Sequence, residues 1–166
     1  LHAGDMVYIS GTIYTARDAA HKRLCEMLDA GEPMPFNFEG QAVYYAGPCP
    51  AKPGKPIGSV GPTTGGRMDA YSPTLIAEGL KVMIGKGSRS KEVVDALKQY
   101  TGVYFAAIGG AAALMAKCVK SAEVIAFDDL GTEAIRRLEV EELPVIVVLD
   151  CQGNNAYERG RSEFQA

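Results

Sequence analysis

The stretch Gly61-Pro62-Thr63-Thr64-Gly65-Gly66-Arg67-Met68-Asp69 places two hydroxyls, two glycines and one guanidinium within five residues. Glycines let successive backbone N–H groups converge on an anion, and Arg offers a planar fork to a carboxylate or phosphate. A solvated turn has the same composition, so both readings stand at this point. It is not a Walker A loop, because G-x-x-x-x-G-K-[ST] is absent. Two further cations sit on similar loops. Lys86 lies between Gly85 and Gly87 behind an apolar run, where a side chain can point beyond a sheet edge or stay exposed. Arg17 falls where a helix is expected to start. The helix dipole repels a cation there, unless the N-terminus and the guanidinium share an anion or the side chain is in solvent. Arg17, Arg67 and Lys86 together would suit a small dianion such as a dicarboxylate.

The elements that must position these residues follow from periodicity and punctuation. Met6–Ile9 alternates as a strand, with Gly11 as a break or bulge. Thr15 is expected to cap a helix from Arg17 to about Ala30, with Asp18 completing a pair like a capping box and Gly31 stopping it. Ala42–Ala46 reads as a short strand. Residues 47–67 hold six Gly and five Pro, as either a loose linker or a shaped binding loop. Ser72-Pro73 opens a short helix. Leu80–Ile84 reads as a strand, Lys91–Tyr100 as a helix capped by Ser90, and Val103–Ile108 as a buried strand. Gly109-Gly110 leads into a helix from Ala111 to about Val119, without the G-x-G-x-x-G spacing of a dinucleotide loop. Val124–Phe127 reads as a strand, Thr132–Leu138 as a short helix and Val145–Leu149 as a buried strand. Apolar strands alternating with helices predict an α/β fold with a mixed sheet.

Composition narrows the classes. The 166 residues fit one domain, 47% apolar and 22% charged, with no repeat or low-complexity tract. Lys+Arg is 17 against Asp+Glu 20, a net charge of −3, and no basic block stands alone. Neither nucleic acid nor a membrane surface is an expected partner. No apolar run approaches the roughly 20 residues of a membrane span. Without a signal-peptide pattern, a cytoplasmic location with reduced thiols is expected. Cys25, Cys49, Cys118 and Cys151 form no CxxC, and His2 and His21 are the two histidines, so no metal site is assigned to this chain. Cys25 and Cys118 are expected to be buried small hydrophobes. No Ser-His-Asp or Cys-His set and no carboxylate pair stands out. The residues read as half of a site, which binds and orients.

The motifs resemble the β subunit, or C-terminal domain, of class I iron–sulfur fumarases and the related L(+)-tartrate dehydratases. The resemblance rests on Ser10–His21 (SGTIYTARDAAH), Tyr44–Pro48 (YYAGP), Gly61–Asp69, Met83–Gly87 (MIGKG), Tyr104–Leu114 (YFAAIGGAAAL), Ala126–Gly131 (AFDDLG) and Arg136–Val140 (RRLEV), in order along nearly the whole chain. Cys49 departs from the pattern, which has Thr there. The resemblance implies a single domain over residues 1–166 of three-layer β/β/α swivelling type. It implies a partner α subunit holding a [4Fe-4S] cluster and a likeness to homodimers of αβ units. It assigns Thr63 the substrate proton, Arg17, Arg67 and Lys86 the substrate carboxylates, and Thr64 and Gly66 the shape and backbone donors of the loop. The implied reaction is the reversible hydration of fumarate to L-malate, with L(+)-tartrate dehydration or a stand-alone dicarboxylate-binding domain as the alternatives.

Overall fold

The computed structural model describes residues 1–107 and 112–164. Six strands form one mixed sheet: β1 (Met6–Thr15), β2 (Ala42–Tyr44), β3 (Val82–Gly85), β4 (Val103–Ala107), β5 (Val119–Ala126) and β6 (Ile135–Leu149). Their order is β1-β2-β3-β4-β6-β5, and β1 also pairs with β6. β1 to β4 are mutually parallel, while β6 runs antiparallel to β1, β4 and β5. Parallel neighbours need crossovers. Helices α1 (Asp18–Asp29), α2 (Ser72–Ala77) and α3 (Lys91–Tyr100) supply them. Two further helices, α4 (Ala112–Lys117) and α5 (Ala156–Phe164), flank the antiparallel part and the C-terminal end.

Side chains alternate along each parallel strand and so feed two cores. Val43, Tyr45, Met83 and Tyr104 face one way, onto Ala20 and Leu24 of α1, Leu75 and Ile76 of α2, and Val93 and Leu97 of α3. Tyr44, Ile84 and Phe105 face the other way, onto Val119, Leu138 and Val140 of β5 and β6. The mixed sheet therefore has one apolar seam against the helices and a second against β5 and β6, the expected α/β fold with a mixed sheet.

Several boundaries differ from the local reading. β1 does not end at Ile9. It continues through Gly11, whose φ of 122° sits in a bulge where the pairing to β6 shifts between Ile9 and Gly11. The helix expected at Thr132–Leu138 is absent. A 3₁₀ segment covers Asp128–Glu133, and β6 starts at Ile135. Pairing to β1 on one side and β5 on the other overrides local helix propensity there. β5 begins at Val119, five residues before the expected strand. The proposed Thr15–Asp18 cap also fails: Arg17 is the N-cap residue, without a side-chain cap bond. The Thr15 hydroxyl instead accepts from the Arg136 backbone at 3.2 Å, and Glu133 accepts from the Ala19 N–H at 3.4 Å. Ser90 caps α3 as expected, accepting from the Val93 N–H. Cys25 and Cys118 are half-buried rather than buried. The expected Gly109-Gly110 turn, with Ile108 and Ala111, lies outside the described residues.

Candidate functional site

The three cations and Thr63 all follow the carboxyl ends of parallel strands, the place where open α/β sheets present ligand-binding groups. Arg17 stands two residues past β1, and Lys86 directly after β3. The Thr63 loop reaches the same edge because β2 and β3 part there. The Tyr45 N–H still donates to Ile84 C=O at 2.8 Å. One step further, the Tyr45 C=O accepts from the Thr63 N–H at 2.6 Å, and the Lys86 N–H donates to the Thr63 C=O at 3.2 Å. The Gly65 N–H then donates to the Lys86 C=O at 2.7 Å, and Thr64 and Lys86 form a parallel bridge. Residues 63–65 thus run as a short inserted strand. This insertion, invisible to local propensity, puts Thr63 and Lys86 side by side.

Arg67 follows in a 3₁₀ turn, Gly65–Met68. Its Nε donates to one oxygen of Asp18 at 3.0 Å, and its Nη2 lies 2.8 Å from the same oxygen. Asp18 is the first residue of α1, so this ion pair brings Arg67 beside Arg17. The Arg17 Nε lies 3.8 Å from a Glu133 oxygen, is buried, and makes no hydrogen bond. Its chain packs on Gly47, where an added Cβ would stand 2.6 Å from Nη1. Thr64, Arg67 and Lys86 are exposed and Arg17, Thr63 and Gly66 half-buried. Backbone bonds join the Thr63–Gly65 stretch to Lys86, and Asp18 joins Arg67 to the residue after Arg17. A cavity of about 620 Å³ lies elsewhere, between the loop Cys49–Ser59 and α4, and contains none of them.

Residues that composition did not single out also shape this edge. Arg89 has a side chain with 0% exposure. Its Nε donates to Asp69 at 2.6 Å, its Nη2 to Ser72 Oγ at 2.8 Å and to Tyr45 Oη at 3.2 Å. Its carbon lies 5.1 Å from the Tyr45 ring centre and 4.7 Å from that of Tyr104. Burial opposes its charge, but Tyr45 and the Asp69 hydrogen bond outweigh burial and hold the guanidinium above its ordinary range. Burial likewise pushes the Tyr104 phenol up, so it stays neutral. An Arg beside a Ser cap reads in sequence as a solvated charge, and no spacing marks it otherwise. His21 is also fully buried. Its Nδ1 meets the Arg17 C=O at 2.8 Å, which assigns the proton to Nδ1 and leaves Nε2 without a partner. Burial lowers its pKa to about 4, so it is neutral at pH 7.

Chemically, the edge offers cations, a hydroxyl and one carboxylate oxygen without a partner. Asp69 is occupied on both oxygens, by Arg89 and by the Ser90 N–H at 2.8 Å. Asp18 is engaged by Arg67 through Oδ2, while its Oδ1 is buried without a hydrogen-bond partner. Nor do the described residues fit an iron–sulfur cluster, because no three His, Cys, Asp or Glu side chains converge among them.

The sequence profile of the family described as Fumarase C-terminus matches residues 1–160. Fumarate hydratase 2 of Leishmania major is 43% identical over 158 residues, 94% of this chain and 28% of that protein. The anaerobic class I fumarate hydratase of Escherichia coli K12 is 42% identical over 153 residues, 91% of this chain and 28% of its own length. A protein of Methanocaldococcus jannaschii, provisionally named L(+)-tartrate dehydratase subunit beta, is 42% identical over 164 residues, 95% of this chain and 84% of its own length. The chain therefore spans under a third of the fumarate hydratases it matches and most of the subunit-sized relative.

Proposed function

This chain belongs to the Fumarase C-terminus family, and from that premise we propose that it is the carboxylate-binding half of a hydro-lyase that interconverts fumarate and L-malate. Arg17, Arg67 and Lys86 hold the two substrate carboxylates, and Thr64 and Gly66 shape the loop between them. In the dehydration direction the carbon beside one carboxylate loses a proton, and negative charge builds on that carboxylate. A guanidinium already in place stabilises that charge without reorganising. Thr63 receives the proton. A free Thr hydroxyl is a very poor base at neutral pH and needs a neighbouring base. Asp69 is engaged on both oxygens and Asp18 on one, and the resemblance assigns the activating base to a second part of the enzyme. The group that takes the substrate hydroxyl, a [4Fe-4S] cluster in the resemblance, is assigned to the same second part.

The observation that carries this reading is the inserted strand Thr63–Gly65. It places one hydroxyl and two cations at a sheet edge that one chain leaves open. Two facts support a completing α subunit or domain. The fumarate hydratases extend far beyond this chain. Exposed Met6 and Ile146 also face each other across β1 and β6, with exposed Tyr8 two residues on, as on a surface made to be covered. The relative of near-equal length favours a second reading, the β subunit of an L(+)-tartrate dehydratase. Malate and tartrate differ by one hydroxyl, and the same clamp serves both.

The test is anaerobic reconstitution with the cognate second part, following fumarate hydration and L(+)-tartrate dehydration separately. Turnover of fumarate only when both parts are present is expected. Turnover of tartrate alone selects the second reading. Turnover of neither by a folded, loaded assembly removes the hydro-lyase assignment in favour of a stand-alone dicarboxylate-binding domain.

A further inference from the structure

We infer that Arg89 is a positioning residue, whose buried guanidinium latches the Thr63–Asp69 loop to the end of β3 and so sets the spacing of Thr63, Arg67 and Lys86. The inference rests on the reading above for its catalytic readout. Arg89 lies three residues past Lys86, yet it is not a fourth substrate cation. Its side chain is sealed from solvent, and its donors point inward. Its partners come from the elements that border the site. Asp69 closes the Thr63 loop, Ser72 begins α2, Tyr45 follows β2, and Tyr104 lies on β4. The second Asp69 oxygen holds the Ser90 N–H, so the same carboxylate also ties down the start of α3.

The loop is therefore held at two ends. At its front are the three backbone bonds from Thr63 and Gly65 to Tyr45 and Lys86. At its back is the Arg89–Asp69 pair. Arg67 lies between the two. Without the latch the back of the loop swings free, the front bonds open more often, and Arg67 and Thr63 lose their fixed distance from Lys86. Lysine keeps the charge but is a single point on a flexible stem, and it cannot meet Asp69, Ser72 and Tyr45 together.

The experiment uses the assembled enzyme carrying Arg89→Lys or, separately, Asp69→Asn. Each is expected to lower kcat/KM per folded molecule by roughly 10–100-fold, with kcat falling as well as KM rising, since misplacement of about 1 Å has effects of that size. The amides of Gly65 and Lys86 should exchange with deuterium about tenfold faster or more, because opening of the loop exposes them. Packing alone would lower the melting temperature and the folded yield, leaving kcat/KM per folded molecule and those two amides as in the wild type. That result overturns the inference. Should Arg89→Lys fail to fold, Asp69→Asn, which leaves the guanidinium in place, decides by the same two readouts. The exchange readout needs no substrate. A wild type that turns over neither fumarate nor tartrate thus sinks the hydro-lyase reading, while amide exchange still decides the latch.

Discussion

Arg67 donates its Nε–H to a single oxygen of Asp18, with Nη2 beside the same oxygen, which leaves most of its five N–H groups for an incoming anion. The Asp18 contact aims the fork rather than filling it. Lysine has no fork, so Arg67→Lys is expected to lower kcat/KM of the assembled enzyme by about 100-fold, chiefly through weaker transition-state binding. A steady-state rate close to the wild type would remove Arg67 from the clamp. His21 gives a second expectation at this scale. Its pKa is near 4 in the fold, against an ordinary 6.5, mainly through burial, with the nearby Arg89 charge adding to the depression and Asp18 opposing it. Above pH 6.5 the ring is neutral folded or unfolded, and the stability tied to it is fully present. As pH falls from 6.5 towards 4 the unfolded chain takes up a proton that the folded chain refuses, and that stability is lost. The loss is on the order of 3 kcal/mol. His21→Phe keeps a ring of similar size and should flatten this part of the curve. Denaturant melts at pH 7.5 and 4.5 check it, and equal acid losses in both proteins would clear His21 of the effect. Arg17, Arg67 and Lys86 stood out in the sequence as candidates because they lie on or beside Gly- and Thr-rich loops, and the resemblance gave them a role. Arg89 was not, because nothing local tells a buried guanidinium from a solvated one.

At the scale of elements, the inserted strand depends on one position without a side chain. A Cβ on Gly65 would lie 2.6 Å from the Tyr104 hydroxyl and 2.9 Å from Arg89 Cδ. Both neighbours are locked in the same network, so neither can yield cheaply. Gly65→Ala is expected to destabilise the chain by about 1–3 kcal/mol, the usual range for overpacking, and to lower turnover as well. Gly66→Ala, whose Cβ would meet the Ser88 C=O at 3.3 Å, should be milder. Urea unfolding of the two variants compares them directly, and a Gly65→Ala as stable as Gly66→Ala would contradict the crowding. Helix α3 was readable from its Ser90 cap and apolar spacing, both local signals. The start of β6 was not. Ala134-Ile-Arg-Arg-Leu-Glu139 carries good helix formers, and only pairing with β1 and β5 makes it extended. The same holds for the start of α1, whose Ala19 N–H is met by Glu133, 114 residues away.

For the whole molecule, the alternating apolar strands and intervening helices already implied a covered mixed sheet, and the seven motifs already implied the family and a second half to the site. Local residue types were enough for that, because burial pattern and loop chemistry are written in short stretches of chain. They could not show that β2 and β3 part to admit Thr63, that Arg67 reaches α1 through Asp18, or that one carboxylate serves both Arg89 and α3. Each of these joins residues about 20 to 50 positions apart, and no local period encodes such a pairing. Which cation is buried and which stays exposed therefore depends on long-range packing: it buries Arg89 against Tyr45 and Tyr104 and leaves Arg67 and Lys86 at the open edge.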